Sequence, residues 1–109
     1  MHELSLVENL VSQVRQHAGE RRVKTITLTV GVMTCVDPEA MQFCFTACRD
    51  DAGLEQAELV VNRQQASGEC RECGVRFVVS KAIQPCSCGS MNVAVSGGDD
   101  IVLNELEFA

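Results

Sequence analysis

The sequence predicts an α+β protein in which a small three-stranded sheet with two helices carries an inserted four-cysteine, zinc-ribbon-like β-hairpin domain. Three observations predict it. Hydrophobic periodicity runs in the order helix, strand, helix, strand, strand, which is enough for a two-layer unit. Four of the seven cysteines fall within 19 residues, between the second and third of those strands. At 109 residues the chain has room for one compact domain and a small metal-stabilised module. The expected division gives residues 1–66 and 97–109 to the α+β domain and 67–96 to the cysteine module.

Leu4, Val7, Leu10, Val11, Val14 and Ala18 recur at spacings of three and four, with Ser5, Glu8, Asn9, Ser12 and Arg15 between them, so residues 3 to about 18 read as an amphipathic helix. Past a break at Gly19, residues 23–32 alternate strictly. Ile26, Leu28, Val30 and Val32 take one face and Thr25, Thr27, Thr29 and Gly31 the other, the pattern of a half-buried strand. Asp37-Pro38-Glu39 then supplies an N-cap, a proline at the first helical position and an acid in the first turn. Met41, Cys44, Phe45 and Cys48 give this second helix its apolar stripe, and Asp50-Asp51-Ala52-Gly53 ends it. Residues 55–63 read as the second strand through Ala57, Leu59 and Val61. Residues 101–108 read as the third, entered from Gly97-Gly98. The cysteine segment between them holds one short alternating piece, Val75 to Ser80.

Composition narrows the function. With 46% hydrophobic and 22% charged residues the chain has the make-up of a folded protein. Nine basic residues face fifteen acidic ones, a net charge of −6, and both halves are acidic: six against nine in residues 1–66, three against six in 67–109. No basic stripe is present, which argues against nucleic acid as a partner. No apolar run reaches the roughly 18 residues that span a bilayer, and the N-terminus has a helical pattern in place of a signal peptide, so a soluble cytoplasmic protein without a membrane partner is expected. A Ser/His/Asp triad, a phosphate-binding glycine loop and a metalloprotease motif are all missing from the sequence, and it is not expected to be an enzyme.

Cys70-x2-Cys73-x12-Cys86-x1-Cys88 has the paired spacing of metal ligands. Two close pairs joined by a hairpin can bring four thiolates to roughly 2.3 Å from one Zn(II), and a full thiolate set leaves no open position, which marks a structural ion. Gly74 and Gly89 follow the second cysteine of each pair, where a positive φ lets backbone N–H groups turn toward sulfur. A rubredoxin-like iron site uses similar pairs, but Phe77 is the segment's single aromatic residue. The second pair is one residue tighter than C-x2-C, so Cys86 is the less secure ligand of the four. Cys44 and Cys48 share a helix face with Met41 and Phe45, the setting of packed, inert cysteine.

Met1-His2-Glu3 directly precedes the first helix. An imidazole at position 2 can join the α-amine and the intervening amide nitrogen in fused chelate rings. Such planar nitrogen sets suit Ni(II) or Cu(II) better than Zn(II). Glu3 adds an oxygen ligand, or serves as an acid at the positive end of the helix dipole. His17, in the last turn of the first helix, complements the opposite end of that dipole.

Together these features resemble the HypA/HybF family of nickel metallochaperones for [NiFe]-hydrogenase maturation. The resemblance is carried by Met1-His2-Glu3-Leu4-Ser5, Val30-Gly31, Val36-Asp37-Pro38-Glu39-Ala40, Cys70-x2-Cys73-Gly74, Cys88-Gly89-Ser90 and Ser96-Gly97-Gly98, in that order across nearly the whole chain. It implies a nickel-binding α+β domain joined to a zinc domain. His2 matches the family's nickel ligand, with the Met1 amine and backbone nitrogens as co-ligands, and Glu3 matches a residue of nickel binding or partner docking. Cys70, Cys73, Cys86 and Cys88 match the zinc ligands, with Cys86 displaced by one. Asp37 falls where some members carry an acid near nickel, but the N-cap accounts for it. The implied cargo is Ni(II), the implied resident ion Zn(II), and the implied partners are a maturation GTPase and the hydrogenase large-subunit precursor, with a weak homodimer as a further expectation. The alternative is a zinc-ribbon protein-protein adaptor that carries no nickel.

Overall fold

A computed structural model describes residues 3–50 and 53–109. The elements are α1 (Glu3–Ala18), β1 (Val23–Gly31), a 3-10 turn (Val32–Thr34), α2 (Pro38–Cys48), β2 (Glu58–Gln64), β3 (Ala66–Cys70), β4 (Arg76–Val79), β5 (Val93–Ser96) and β6 (Ile101–Phe108). The strands form two three-stranded sheets, one in the order β2-β1-β6 and the other β4-β3-β5. The chain divides into two compact units. One takes in α1, α2 and the greater part of β1, β2 and β6, and the other comprises Thr29–Cys35 and Arg63–Val102. Among the described residues, no helix is long and apolar enough to cross a membrane.

In the first unit, α1 buries Val7, Leu10, Val14 and Ala18, as its spacing predicts, whereas Leu4 in the opening turn is 47% exposed. The C-terminal end of α1 is capped by a residue beyond it. The Arg21 guanidinium donates to the His17 and Ala18 carbonyls at 2.8 and 3.1 Å and lies 4.0 Å from the centroid of the Phe108 ring on β6. The cation at this helix end is therefore an arginine engaged by hydrogen bonds and an aromatic face, in addition to the His17 of the expectation. Helix α2 starts as the sequence predicts: Asp37 Oδ1 accepts the Glu39 N–H at 3.0 Å and Pro38 occupies the first turn. It packs on α1 and buries Met41 and Phe45, with Cys44 and Cys48 half-buried beside them. Ile26 and Leu28 of β1, with Leu54, Ala57 and Leu59, complete this core. Full burial of each large aliphatic or aromatic side chain contributes about 1.5–3 kcal/mol relative to exposure.

The second unit is built around β3. Its partners β4 and β5 are both antiparallel to it, with Gly68 opposite Phe77 on one side and Val95 on the other. The expected hairpin is therefore extended by a third strand. A small core of Val32, Ala66 and Val79, with Met33 and Phe77 against it, lies in this unit. Strand β1 ends at Gly31, one residue before the alternation predicts. The Gly31 N–H donates to the Asp100 carbonyl at 2.8 Å and the Met33 N–H to the Gly98 carbonyl at 2.7 Å, and a Cβ on Gly31 would overlap the Gly98 carbonyl. Beyond this crossing the chain turns through Val32–Thr34, where the Thr34 hydroxyl donates to the Gly31 carbonyl at 2.7 Å, and Cys35 follows with φ +58°.

Candidate metal centre

The four clustered cysteines come from two knuckles of the second unit. Cys70 ends β3 and Cys73 lies in the turn toward β4, while Cys86 and Cys88 lie in the loop between β4 and β5. The knuckles follow one plan. In the first, the Gly74 N–H donates to the Cys70 carbonyl and the Cys70 N–H to the Val75 carbonyl, each at 2.9 Å. In the second, the Gly89 N–H donates to the Cys86 carbonyl at 2.8 Å and the Cys86 N–H to the Ser90 carbonyl at 2.9 Å. The glycine after the second cysteine thus closes both turns, with φ +77° at Gly74 and +92° at Gly89. Deleting one residue shortens the second turn without removing either bond. This is how C-x-C can occupy the place of C-x2-C, and why the tighter spacing does not carry Cys86 away from the others.

All four Sγ atoms lie within 4.8 Å of one another. Cys70 and Cys88 sulfurs are 3.7 Å apart, and those of Cys73 and Cys86 3.6 Å. A regular tetrahedron with metal–sulfur bonds of ~2.3 Å has edges of about 3.8 Å, so the donor set fits one tetrahedral thiophilic ion such as Zn(II). Cys70 and Cys86 are buried and Cys73 and Cys88 exposed.

The sulfurs do not ionise alike. Cys70 is held down to about 6, chiefly because the backbone N–H groups of Cys73 and Glu72 face its sulfur, with the Cys73 N–H at 3.4 Å. Cys88 is pushed up to about 12: the Ser90 N–H pulls it down, but the sulfurs of Cys86 and Cys70 and burial outweigh that pull. Cys73 is raised in the same way, with the Val75 N–H opposed by the Cys86 sulfur and burial. Cys70 forms a thiolate readily, whereas Cys73 and Cys88, beside the sulfurs of Cys86 and Cys70, hold their protons until a cation arrives.

The remaining candidates lie elsewhere. His2 falls outside the described residues. Glu3 is the first residue of α1, and its Oε2 accepts the Asp37 N–H at 3.2 Å. Cys35 is exposed, with its Sγ 3.9 Å from the Met33 carbonyl. Cys35, Cys44 and Cys48 are not members of the four-sulfur group.

The family model described as "Hydrogenase/urease nickel incorporation, metallochaperone, hypA" matches residues 1–108. A hydrogenase maturation factor HypA of Geotalea uraniireducens is 41% identical over 108 residues, 98% of each chain. One of Geobacter metallireducens is also 41% identical over 108 residues and the same shares. The solution structure of the Ni metallochaperone HypA from Helicobacter pylori superposes with a TM-score of 0.65 at 24% identity, over 99% of this chain and 97% of that one, a likeness of fold.

Proposed function

Because the chain belongs to the HypA family of hydrogenase maturation factors and nickel-incorporation metallochaperones, we propose that it carries Ni(II) at its own N-terminus as cargo for the [NiFe]-hydrogenase large-subunit precursor. The observation that carries this reading is the family match from residue 1, which takes in the Met1-His2-Glu3 start. The His2 imidazole, the Met1 amine and the intervening amide nitrogen supply a planar nitrogen set suited to Ni(II). Glu3 stands at the head of α1 as an oxygen ligand or a support for that set. A few ligands at a chain end suit a carrier, because transfer by ligand exchange needs a site that an acceptor can reach.

Cys70, Cys73, Cys86 and Cys88 hold a Zn(II) whose role is structural. Bound there, zinc supplies the folding energy that a segment with so small a core lacks. The nickel function resides in residues 1–66 and 97–109 and the zinc function in 67–96. The immediate partner is the GTPase of the same maturation pathway, since this sequence has no phosphate-binding glycine loop of its own. The work takes place in the cytoplasm. The chain acts as a metallochaperone and not as an enzyme.

The test is a Ni(II) titration of the zinc-loaded protein at neutral pH by calorimetry and X-ray absorption, with His2→Ala and an N-terminally extended form beside it. One equivalent of nickel on nitrogen and oxygen ligands, lost in both variants while zinc stays, is the expected result. Unchanged nickel binding in the variants, or nickel on cysteine sulfur, would overturn the N-terminal site and leave a zinc-ribbon adaptor.

A further inference from the structure

Each knuckle of the cysteine cluster contributes one buried cysteine and one exposed cysteine. The close sulfur contacts run between the knuckles. Exposed Cys73 meets buried Cys86 at 3.6 Å, and exposed Cys88 meets buried Cys70 at 3.7 Å. We propose that this cluster is also a hydroperoxide-reactive site, in which an exposed thiolate is oxidised first and its buried contact from the other knuckle closes a cross-knuckle disulfide, Cys73–Cys86 or Cys70–Cys88, releasing the metal. This inference rests on the zinc reading above.

The chemistry balances with hydrogen peroxide as the oxidant. The exposed thiolate attacks one peroxide oxygen, so that an S–O bond forms, the O–O bond breaks, and the departing hydroxide takes up a proton to become water. The buried thiolate then attacks the sulfenic sulfur. An S–S bond forms, the S–O bond breaks, and the second hydroxide leaves and is protonated. Two thiolates give up two electrons, and one peroxide with two protons becomes two waters. The ion loses two of its four thiolate ligands at once.

Geometry selects the cross-knuckle links. A disulfide of about 2.05 Å requires the contacting sulfurs to approach by only about 1.6 Å. The alternative within the second knuckle closes a ring over a single intervening residue, inside a turn already fixed by the 2.8 Å bond from the Gly89 N–H to the Cys86 carbonyl. A link within the first knuckle would leave Cys86 and Cys88 with that tight ring as their one remaining pairing. Cross-knuckle pairing can oxidise all four sulfurs without it and keeps the two knuckles together after the ion departs. Reduction would then restore the ligand set.

Tryptic cleavage separates the alternatives, because Arg63, Arg71, Arg76 and Lys81 place Cys70 in residues 64–71, Cys73 in 72–76 and both later cysteines in 82–109. Full-length protein is first assayed for one zinc bound, then given one to two equivalents of hydrogen peroxide. Zinc release is followed with a chromogenic chelator, and disulfides are mapped by mass spectrometry with fragmentation between Cys86 and Cys88. The expected result is release of the zinc with peptide 72–76 linked through Cys86 or 64–71 linked through Cys88, reversed by dithiothreitol and added zinc. A link between 64–71 and 72–76, an internal Cys86–Cys88 bond, sulfinic acid at Cys73 or Cys88, bonds to Cys35, Cys44 or Cys48, or zinc retained in tenfold excess peroxide would overturn the inference. Protein that holds no zinc on these cysteines before peroxide is added would overturn the zinc reading and this inference with it.

Discussion

The Glu3 carboxylate accepts a hydrogen bond from the backbone N–H of Asp37 at 3.2 Å, joining the first turn of α1 to the N-cap of α2. Asp37 in turn caps α2 through its own side chain at Glu39. Glu3 therefore has a structural partner independent of any metal, and the two roles separate by substitution. Glu3→Gln keeps a carbonyl oxygen for the Asp37 N–H and removes the charge, whereas Glu3→Ala removes both. We expect Glu3→Ala to lower stability by about 0.5–1 kcal/mol in urea unfolding and Glu3→Gln by less. If Glu3 also ligates nickel, both variants weaken Ni(II) binding alike. Weakening in Glu3→Ala alone would assign the residue to positioning. Asp37→Ala should cost about 1 kcal/mol through the lost cap and leave nickel affinity unchanged.

Gly31 meets the Gly98 carbonyl so closely that no side chain fits between them. The Gly31→Ala variant must push the backbones apart and stretch the bonds from Gly31 N–H to Asp100 and from Met33 N–H to Gly98. A cost of about 2–3 kcal/mol is expected, at the upper end of overpacking effects. Hydrogen exchange should locate it: the amides of Gly31 and Met33 would lose protection first. Wild-type protection at both amides in the variant would show that the crossing relaxes without loss.

The larger elements were legible because their signals are large and regular. Val7, Leu10 and Val14 repeat at helical spacing, Ile26 and Leu28 alternate, and Asp37-Pro38 announces a helix start, and each of these apolar residues is buried. Strands β3 and β5 were not legible. Strand β3 does alternate buried and exposed residues, but its inward set is Ala66, Gly68 and Cys70, side chains too small to register as a hydrophobic period. Gly68 is required by packing, since a Cβ there would come within 2.8 Å of the Val79 side chain. Strand β5 has four residues, too few for periodicity to declare itself. The end of β1 was hidden for a different reason: Val32 continues the alternation, and the turn that begins at it is imposed by Gly98, far away in sequence. The cysteine set was legible from spacing alone. The reason that C-x-C suffices at Cys86 lies in backbone hydrogen bonds, which residue types do not display.

The shortened second knuckle keeps the Cys86 sulfur 3.6 Å from that of Cys73, and removal of Cys86 tests whether it ligates. Cys86→Ser leaves three thiolates and an exchangeable fourth position. We expect zinc affinity to fall by at least about 100-fold in competition with a chelator, the same order as for Cys73→Ser. Near-wild-type affinity in Cys86→Ser, against a large loss in Cys73→Ser, would mean that Cys86 does not ligate. A serine hydroxyl cannot replace the sulfur, because at neutral pH it keeps its proton.

The pH dependence of zinc binding follows from the order in which these thiols ionise. With Cys70 held at about 6 by the Cys73 and Glu72 N–H groups, that sulfur is already a thiolate at pH 7. Cys88, at about 12, and the raised Cys73 keep their protons, because neighbouring sulfurs outweigh the Ser90 and Val75 N–H groups. Zinc takes thiolates, so it must expel at least those two protons. Each expelled proton makes the association constant rise tenfold per pH unit, so two or more give a rise of at least about 100-fold per unit above pH 6. Raising the pH strengthens binding and lowering it weakens binding. Below about pH 6, Cys70 also takes up a proton and the fall steepens. Chelator competition between pH 6.5 and 8.5 should therefore span at least about four orders of magnitude in affinity, and calorimetry in buffers of differing ionisation enthalpy should count two or more protons released per zinc. A slope of tenfold per unit or less would mean that the thiols ionise before the metal arrives, and the mutual repulsion assigned to these sulfurs would be wrong.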